Sequence, residues 1–259
     1  MILVYDDTFE GFLSVVFECY KRKIEPMDIR PASFFQESLF VYREHVLTSV
    51  ERADRVWAGL QKKLSKQTRH VPFSAFLSRD EGIEMALYRF MRLAFEISGQ
   101  IADNYGDPDV LTVRKASRKV MKEAMRMIEF IRFQLTLDNI YFAAVSPDYD
   151  VLPIVMQHFR NRFADQQWII YDLRRDYGFY YNLHMIEEVI LNDKAFNADN
   201  GAVRKDMLQE GETTYQTMWS EYCRSITIRE RLNLKVHRQH LPKRYWKFLP
   251  EKRAGNVKI

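Results

Sequence analysis

The chain has 259 residues and carries 39 Lys or Arg against 35 Asp or Glu, a formal net charge of +4. With 47% hydrophobic residues, nine Gly and eight Pro, it can bury a real core, and disordered, collagen-like and low-complexity classes are excluded. Two cysteines, Cys19 and Cys223, exclude a disulfide framework and are too few to hold an iron–sulfur cluster alone. The start at Met1 has no basic region followed by an apolar one, and no apolar run approaches ~18 residues, so a cytoplasmic protein without signal peptide or membrane span is expected.

In chain order, Ile2–Tyr5 reads as a buried strand, and Asp6, Asp7 and Thr8 offer caps for a helix over 9–22 with an apolar stripe from Phe9 to Tyr20. Residues 23–35 form a loop, and 38–48 look extended, with a hairpin turn near Arg43–His45. From 49 to 137 the pattern is helical, broken at Asn104–Asp109, where Asp107 is placed to cap a helix that opens on Pro108. The pattern changes near 138, which would divide the body into two subdomains. Strands are then expected at Ile140–Val145 and Trp168–Arg174, flanking a helix over 152–163. Phe179–Leu183 should return antiparallel across Asp176–Gly178, making a hairpin at about 167–184 that His184–Leu191 extends. Helices follow at 203–210 and 212–225. The order predicts an α+β fold, mainly helical with a small antiparallel sheet, with a body over 1–225 and a basic tail over 226–259.

The charge is uneven. Residues 222–259 hold eleven Lys or Arg and only the acids Glu230 and Glu251, a net of +9 against −5 for the remainder. In the tail, Arg238, Lys243, Arg244 and Lys247 alternate with Tyr245, Trp246 and Phe248; cations neutralise phosphates and rings stack on unpaired bases. Arg229, Arg231 and Lys235 extend the cationic set. The competing reading is that Trp246 and Phe248 dock the tail onto the body.

The second candidate is the hairpin. Alternation puts Ile169, Tyr171 and Leu173 toward the core, and Asp172 and Arg174 on the opposite face. His158 and Arg162 share a face of the preceding helix. These residues would form a polar pocket, with Asp172 or His158 moving protons and Arg174 holding phosphate. The structural alternative is an ion pair between Asp172 and Arg174, Arg175 or Arg162 that orders the turn. His237 and His240, with Cys223 upstream, make a weak metal pattern amid repelling cations, so no metal is expected, and no cofactor motif occurs.

Tyr5-Asp6-Asp7-Thr8-Phe9-Glu10-Gly11, Leu152-Pro153, His158-Phe159, Arg162-Phe163, Trp168 to Arg175 with Tyr177-Gly178, and Pro242-Lys243-Arg244-Tyr245-Trp246 together carry a resemblance. The chain resembles a bacterial family of DNA-metabolism proteins that is linked in the genome to a radical-SAM protein of DNA modification or repair. The resemblance implies a radical-SAM partner and a role on DNA, and it brings no catalytic residue with it. Some relatives add a uracil-DNA-glycosylase-like domain at the C-terminus; ending at Ile259, this chain is expected to lack it. Two functions follow. The first is a nucleic-acid-binding or adaptor protein beside the radical-SAM partner. The alternative is an enzyme on nucleic acid, a hydrolase or base-processing activity, using Asp172, His158 and Arg174. The first needs only charge, rings and a partner surface, and is preferred.

Overall fold

The structure, a computed structural model, describes residues 1–34, 42–97, 101 and 104–253. The chain divides into two compact units, Met1–Met121 and Lys122–Ile259.

In the first unit, β1 (Ile2–Tyr5) runs between β2 (Asp28–Pro31) and β3 (Arg43–His45), parallel to both. The chain leaves β1 through Asp6–Thr8 into α1 (Phe9–Arg22), where the Thr8 hydroxyl accepts the Gly11 N–H at 2.9 Å. The Asp6 carboxylate accepts the hydroxyls of Thr8 (2.6 Å) and Thr48 (2.7 Å) and lies so close to Gly11 that a Cβ there would sit 2.1 Å from its Oδ1. Further helices are α2 (Val50–Lys63), α3 (Val71–Phe76) and α4 (Ile83–Glu96). Their apolar stripes meet that of α1, and Phe9 is ringed by Phe12, Trp57, Phe73 and Phe76. Arg43–His45 are not the turn of a hairpin: these residues form β3, parallel to β1, and 38–41 lie outside the described residues. The extended pattern is right, but neither charge nor alternation in so short a run states its direction.

Helix α5 (Pro108–Phe130) starts in the first unit, with the Asp107 carboxylate accepting the N–H groups of Asp109 and Val110 at 2.9 and 3.0 Å, and ends in the second.

The second unit is built on a five-stranded sheet in the order β4 (Gln134–Leu135), β5 (Tyr141–Val145), β6 (Trp168–Asp172), β7 (Tyr177–Tyr181), β8 (Ile186–Val189). Helix α6 (Leu152–Arg162) crosses from β5 to β6 and leaves them parallel; the other neighbours are antiparallel. The α+β class therefore holds, with one parallel and one mixed sheet in place of a single antiparallel one. The pattern change near 138 falls inside the second unit, between β4 and β5.

The hairpin forms, with Trp168 opposite Tyr181 and Tyr171 opposite Gly178, but its turn is Leu173–Asp176, not Asp176–Gly178. Asp176 takes the left-handed conformation (φ 59°) that closes the turn. Gly178 belongs to β7, where a Cβ would come within 2.5 Å of the Ile170 carbonyl oxygen. Ile169, Tyr171 and Leu173 pack with Phe142, Ala144, Phe196 and Val203 as expected. The other face of β6 is equally buried: Trp168, Ile170 and Asp172 are each 0% exposed. The reason is topological. A central strand beside a parallel neighbour has both faces covered, here in part by α6, whose Phe159 ring lies 6.3 Å from that of Trp168.

After β8 the expected helix over 203–210 is only a 3-10 turn at Lys205–Met207, and α7 (Glu212–Ser225) occupies 212–225 as predicted. The basic segment then forms α8 (Leu234–His240), a 3-10 stretch over Lys243–Phe248 and α9 (Pro250–Arg253).

Tyr171→Ala is expected to cost about 3–5 kcal/mol in urea unfolding of the full chain. Tyr171→Phe, losing the hydroxyl's bonds to Asp176 (2.8 Å) and from the Leu191 N–H (3.4 Å), should cost about 1 kcal/mol. Equal losses in the two variants would show that the ring contributes nothing to this core.

Candidate functional site

Asp172 ends β6 fully buried, and each of its side-chain hydrogen bonds among the described residues is local. Its Oδ1 accepts the backbone N–H of Arg174 at 2.8 Å and of Arg175 at 3.3 Å, and its Oδ2 accepts Arg175 Nη1 at 2.7 Å. Burial pushes its carboxyl above the ordinary value, against the pull of the Arg175 guanidinium and the two N–H groups. His158 is exposed on α6, with its ring 5.4 Å from that of Phe159, and no hydrogen bond or ion pair joins it to Asp172 among the described residues. Arg162 is likewise exposed, over the Phe163 ring at 5.7 Å. The expected pocket of Asp172, His158 and Arg174 is therefore not assembled: only the Asp172–Arg175 pair is, and it orders the turn.

The arginines of the turn instead grip the loop after β5. Arg175 donates to the carbonyls of Pro147 (3.2 Å) and Asp148 (3.0 Å), and Arg174 Nη1 lies 3.6 Å from the Asp148 carboxylate. Tyr177 donates its hydroxyl to Asp150 at 2.5 Å, and burial beside this carboxylate pushes the phenol far above its ordinary range.

Arg244 reaches the same loop from the tail. Its Nη1 is 2.6 Å from Asp148 Oδ2 and its Nη2 is 2.6 Å from Glu123 Oε2, a carboxylate 2% exposed on α5 that also accepts the Asp148 N–H at 3.0 Å. The Tyr245 ring lies under the Arg244 guanidinium at 4.7 Å and against Phe130 at 5.5 Å. Tyr245, Phe248 and Leu249 are buried, and half-buried Trp246 donates Nε1 to the Leu241 carbonyl at 3.0 Å. Two expectations need correction. Tyr245 is not a stacking platform, because its face is inside the protein. Arg244 is not a free cation, because two carboxylates hold it. Phe248 docks as the competing reading expects, whereas the Trp246 ring packs within the tail, 6.0 Å from that of His237 and under Lys252 at 5.3 Å. Arg238, Lys243 and Lys247 remain exposed, as do Arg231 and Lys235.

The exposed rings are elsewhere, on α7. Tyr215, Met218, Trp219, Tyr222 and Ile226 recur at three- and four-residue spacing along one side of the helix, and all are exposed, Tyr215 by 69%. The side turned inward carries Gln216, Ser220 and Cys223, all half-buried, and packs on α9. The Trp219 and Tyr222 rings lie 5.7 Å apart, and the Arg132 guanidinium, paired with Glu251 at 3.2 Å, stands 5.6 Å from the Trp219 ring. In the segment that follows, Ile228, Leu232, Leu234 and Val236 are exposed as well. The sequence signal was present as a helical stripe, but such a stripe ordinarily marks a core face.

Among the described residues no group of three His, Cys, Asp or Glu is arranged to hold a metal, and no helix is long and apolar enough to cross a membrane.

The second unit is thus a mixed α/β layer whose basic C-terminal segment is folded onto it. Residues 81–251 match the model of a family described as a domain of unknown function, DUF4130. The match covers about two thirds of the 259 residues, and the chain belongs to that family. No curated protein matches the sequence.

Arg244→Ala should destabilise the protein by about 1–3 kcal/mol in urea unfolding, because it strips Glu123 of its closest cation and leaves it Arg126 at 3.7 Å. Lys243→Ala, at an exposed neighbour, should change stability by less than about 0.5 kcal/mol. Similar small effects in both variants would rule out the docking role of Arg244.

Proposed function

We propose that the chain is a nucleic-acid-binding accessory protein of DNA metabolism or repair, acting in the cytoplasm beside a radical-SAM protein, and that its nucleic-acid surface is α7 with the segment through α8. The observation that carries this is the exposed stripe of Tyr215, Trp219 and Tyr222 on α7, followed along the chain by the exposed Arg231, Lys235, Arg238 and Lys243, for which no ion pair occurs among the described residues. Rings with solvent-facing π surfaces and adjacent unneutralised cations suit single-stranded or distorted DNA, where bases are free to stack while phosphates are neutralised. A duplex hides its base faces and leaves the rings unused. The net +9 of residues 222–259 supports the reading, since Arg244 is held by two carboxylates whereas Arg231, Lys235, Arg238, Lys243 and Lys247 are exposed. The radical-SAM partner rests on the family resemblance of the hairpin and tail motifs.

The test is fluorescence anisotropy with labelled single-stranded and duplex oligonucleotides from about 50 to 200 mM salt. Single strands should bind more tightly than duplex, with a log–log salt slope of about −0.7 per phosphate contacted. Tyr215→Ala with Tyr222→Ala should weaken single-strand binding by about 1–3 kcal/mol per lost stack and leave the salt slope unchanged. Lys235→Glu, Arg238→Glu and Lys243→Glu combined should flatten the slope without lowering the melting temperature. No binding at the lowest salt, or full binding by both variants, overturns the proposal and leaves the stripe as a protein-docking face.

A further inference from the structure

The first unit holds a cavity of about 450 Å³ between the edge strand β2 and the turn that leads into α4. Its wall carries four carboxylates, Asp28, Asp80, Glu81 and Glu84, and two guanidiniums, Arg30 and Arg79. Most of these charges are already committed. Arg30 Nε is 2.5 Å from Asp28 Oδ2, and Lys119 Nζ is 3.0 Å from Asp80 Oδ2. Arg79 donates Nη2 to the Asp7 carbonyl at 2.7 Å and lies over the Phe76 ring at 4.6 Å. Two carboxylates are left over. Glu81 is exposed at the rim, Glu84 is only 7% exposed, and no ion pair joins either to a cation among the described residues.

Glu84 is the unusual group. It stands in the first turn of α4, and its one hydrogen-bonding side-chain partner among the described residues is Tyr5, whose hydroxyl donates to Oε1 at 3.2 Å. Its own backbone N–H is the other donor, and a carboxylate this deeply buried with neutral donors alone is costly unless something else meets it. Ile29 and Pro31 give the cavity an apolar wall beside it. Concave sites of this size, with an apolar wall and a few convergent polar groups, are the usual form of small-molecule pockets.

We propose that this cavity binds a compact organic cation, an amine or guanidine, whose N–H donors are taken up by Glu84 inside and Glu81 at the rim. A cationic N–H donor supplies the charge and the hydrogen bonds that Glu84 lacks, and a ligand with two basic ends spans both carboxylates. An anionic ligand would meet Glu81 and Glu84 against the one guanidinium of Arg79, which is held by a neutral carbonyl, and is disfavoured. Burial, with Tyr5 and Asp28 nearby, raises the Glu84 carboxyl above its ordinary value, and Arg79 opposes the rise. Asp80 and Glu81 face the same space and Arg30 remains held by Asp28. Protonation of Glu84 on acidification therefore begins above the ordinary carboxylate range and removes the charge that holds the ligand.

Agmatine, with a guanidinium at one end and an ammonium at the other, is the probe, titrated calorimetrically into the full chain, with 1,4-butanediol as the neutral control. Saturable 1:1 binding of agmatine is expected, with no heat from the diol. Glu84→Gln should weaken agmatine at least tenfold, and Glu81→Gln should weaken it less. For the parent, affinity should fall as pH is lowered from about 7.5 toward 5, while agmatine itself stays fully charged. Should Glu84→Gln fail to fold, the pH profile and the Glu81→Gln variant carry the test. No saturable binding at millimolar agmatine, a flat pH profile, or wild-type affinity in a folded Glu84→Gln variant overturns the assignment. None of these readouts involves DNA, so this result and the oligonucleotide result stand or fall separately.

Discussion

The Glu123 carboxylate organises the second unit. It is 2% exposed, on α5, and it accepts the Asp148 N–H while facing Arg244 at 2.6 Å and Arg126 at 3.7 Å. A charge so deeply buried is tolerable only when its lone pairs are filled, and two of the donors that fill them come from elsewhere in the chain. One is the amide of the β5–α6 loop and the other is a tail arginine 121 residues away. The same loop is gripped by Arg174 and Arg175 from the hairpin turn. One carboxylate thus ties together the end of α5, the start of the parallel crossover and the basic tail, and the Asp172–Arg175 pair completes the set from the far side.

This arrangement decides which of the basic and aromatic residues are free. Docking the tail through Arg244, Tyr245, Phe248 and Leu249 spends its nearest cation and its rings on internal packing. Arg253 fixes the end of the tail by donating to the carbonyls of Lys247 (2.7 Å) and Asn200 (2.6 Å). The residues left over are the exposed cations of α8 and its flanks, in the segment that joins α7 to the docked tail. A tail that merely solubilised would not need buried aromatic anchors, whereas a surface that must present cations in fixed positions does.

Much of the local structure was legible because it rests on short-range spacing. The strand at Ile2–Tyr5, the Thr8 and Asp107 caps, the helical stripes and the Trp168–Tyr181 pairing all follow from periods of two or 3.6 and from side chains that cap within three residues. What was not legible depends on distant partners. Alternation in β6 marks two faces but not that α6 covers the second, so Asp172 read as a surface group. Residues 43–45 read as extended, but only β1 fixes them as a parallel strand. The Tyr5–Glu84 bond joins residues 79 apart, and nothing around either residue marks it. Polar residues close in sequence therefore mark the hairpin, where Asp172 and Arg175 pair, and not Glu84, whose hydroxyl partner lies in a distant strand.

The stripe on α7 shows the same limit from the other side. Tyr215, Met218, Trp219, Tyr222 and Ile226 have the spacing of a core-facing helix, and in most folds that spacing would be satisfied within the chain. Here the inward side is made of Gln216, Ser220 and Cys223, which are small or polar enough to lie close against α9. Turning the helix to bury its rings would break this packing and the Arg132–Glu251 link beside Trp219. The helix is thus fixed with its apolar side outward, and contiguous exposed apolar surface on this scale marks a place where another molecule belongs. On the proposed nucleic-acid reading, the exposed cations that follow α7 along the chain would meet phosphates while its rings stack on unpaired bases.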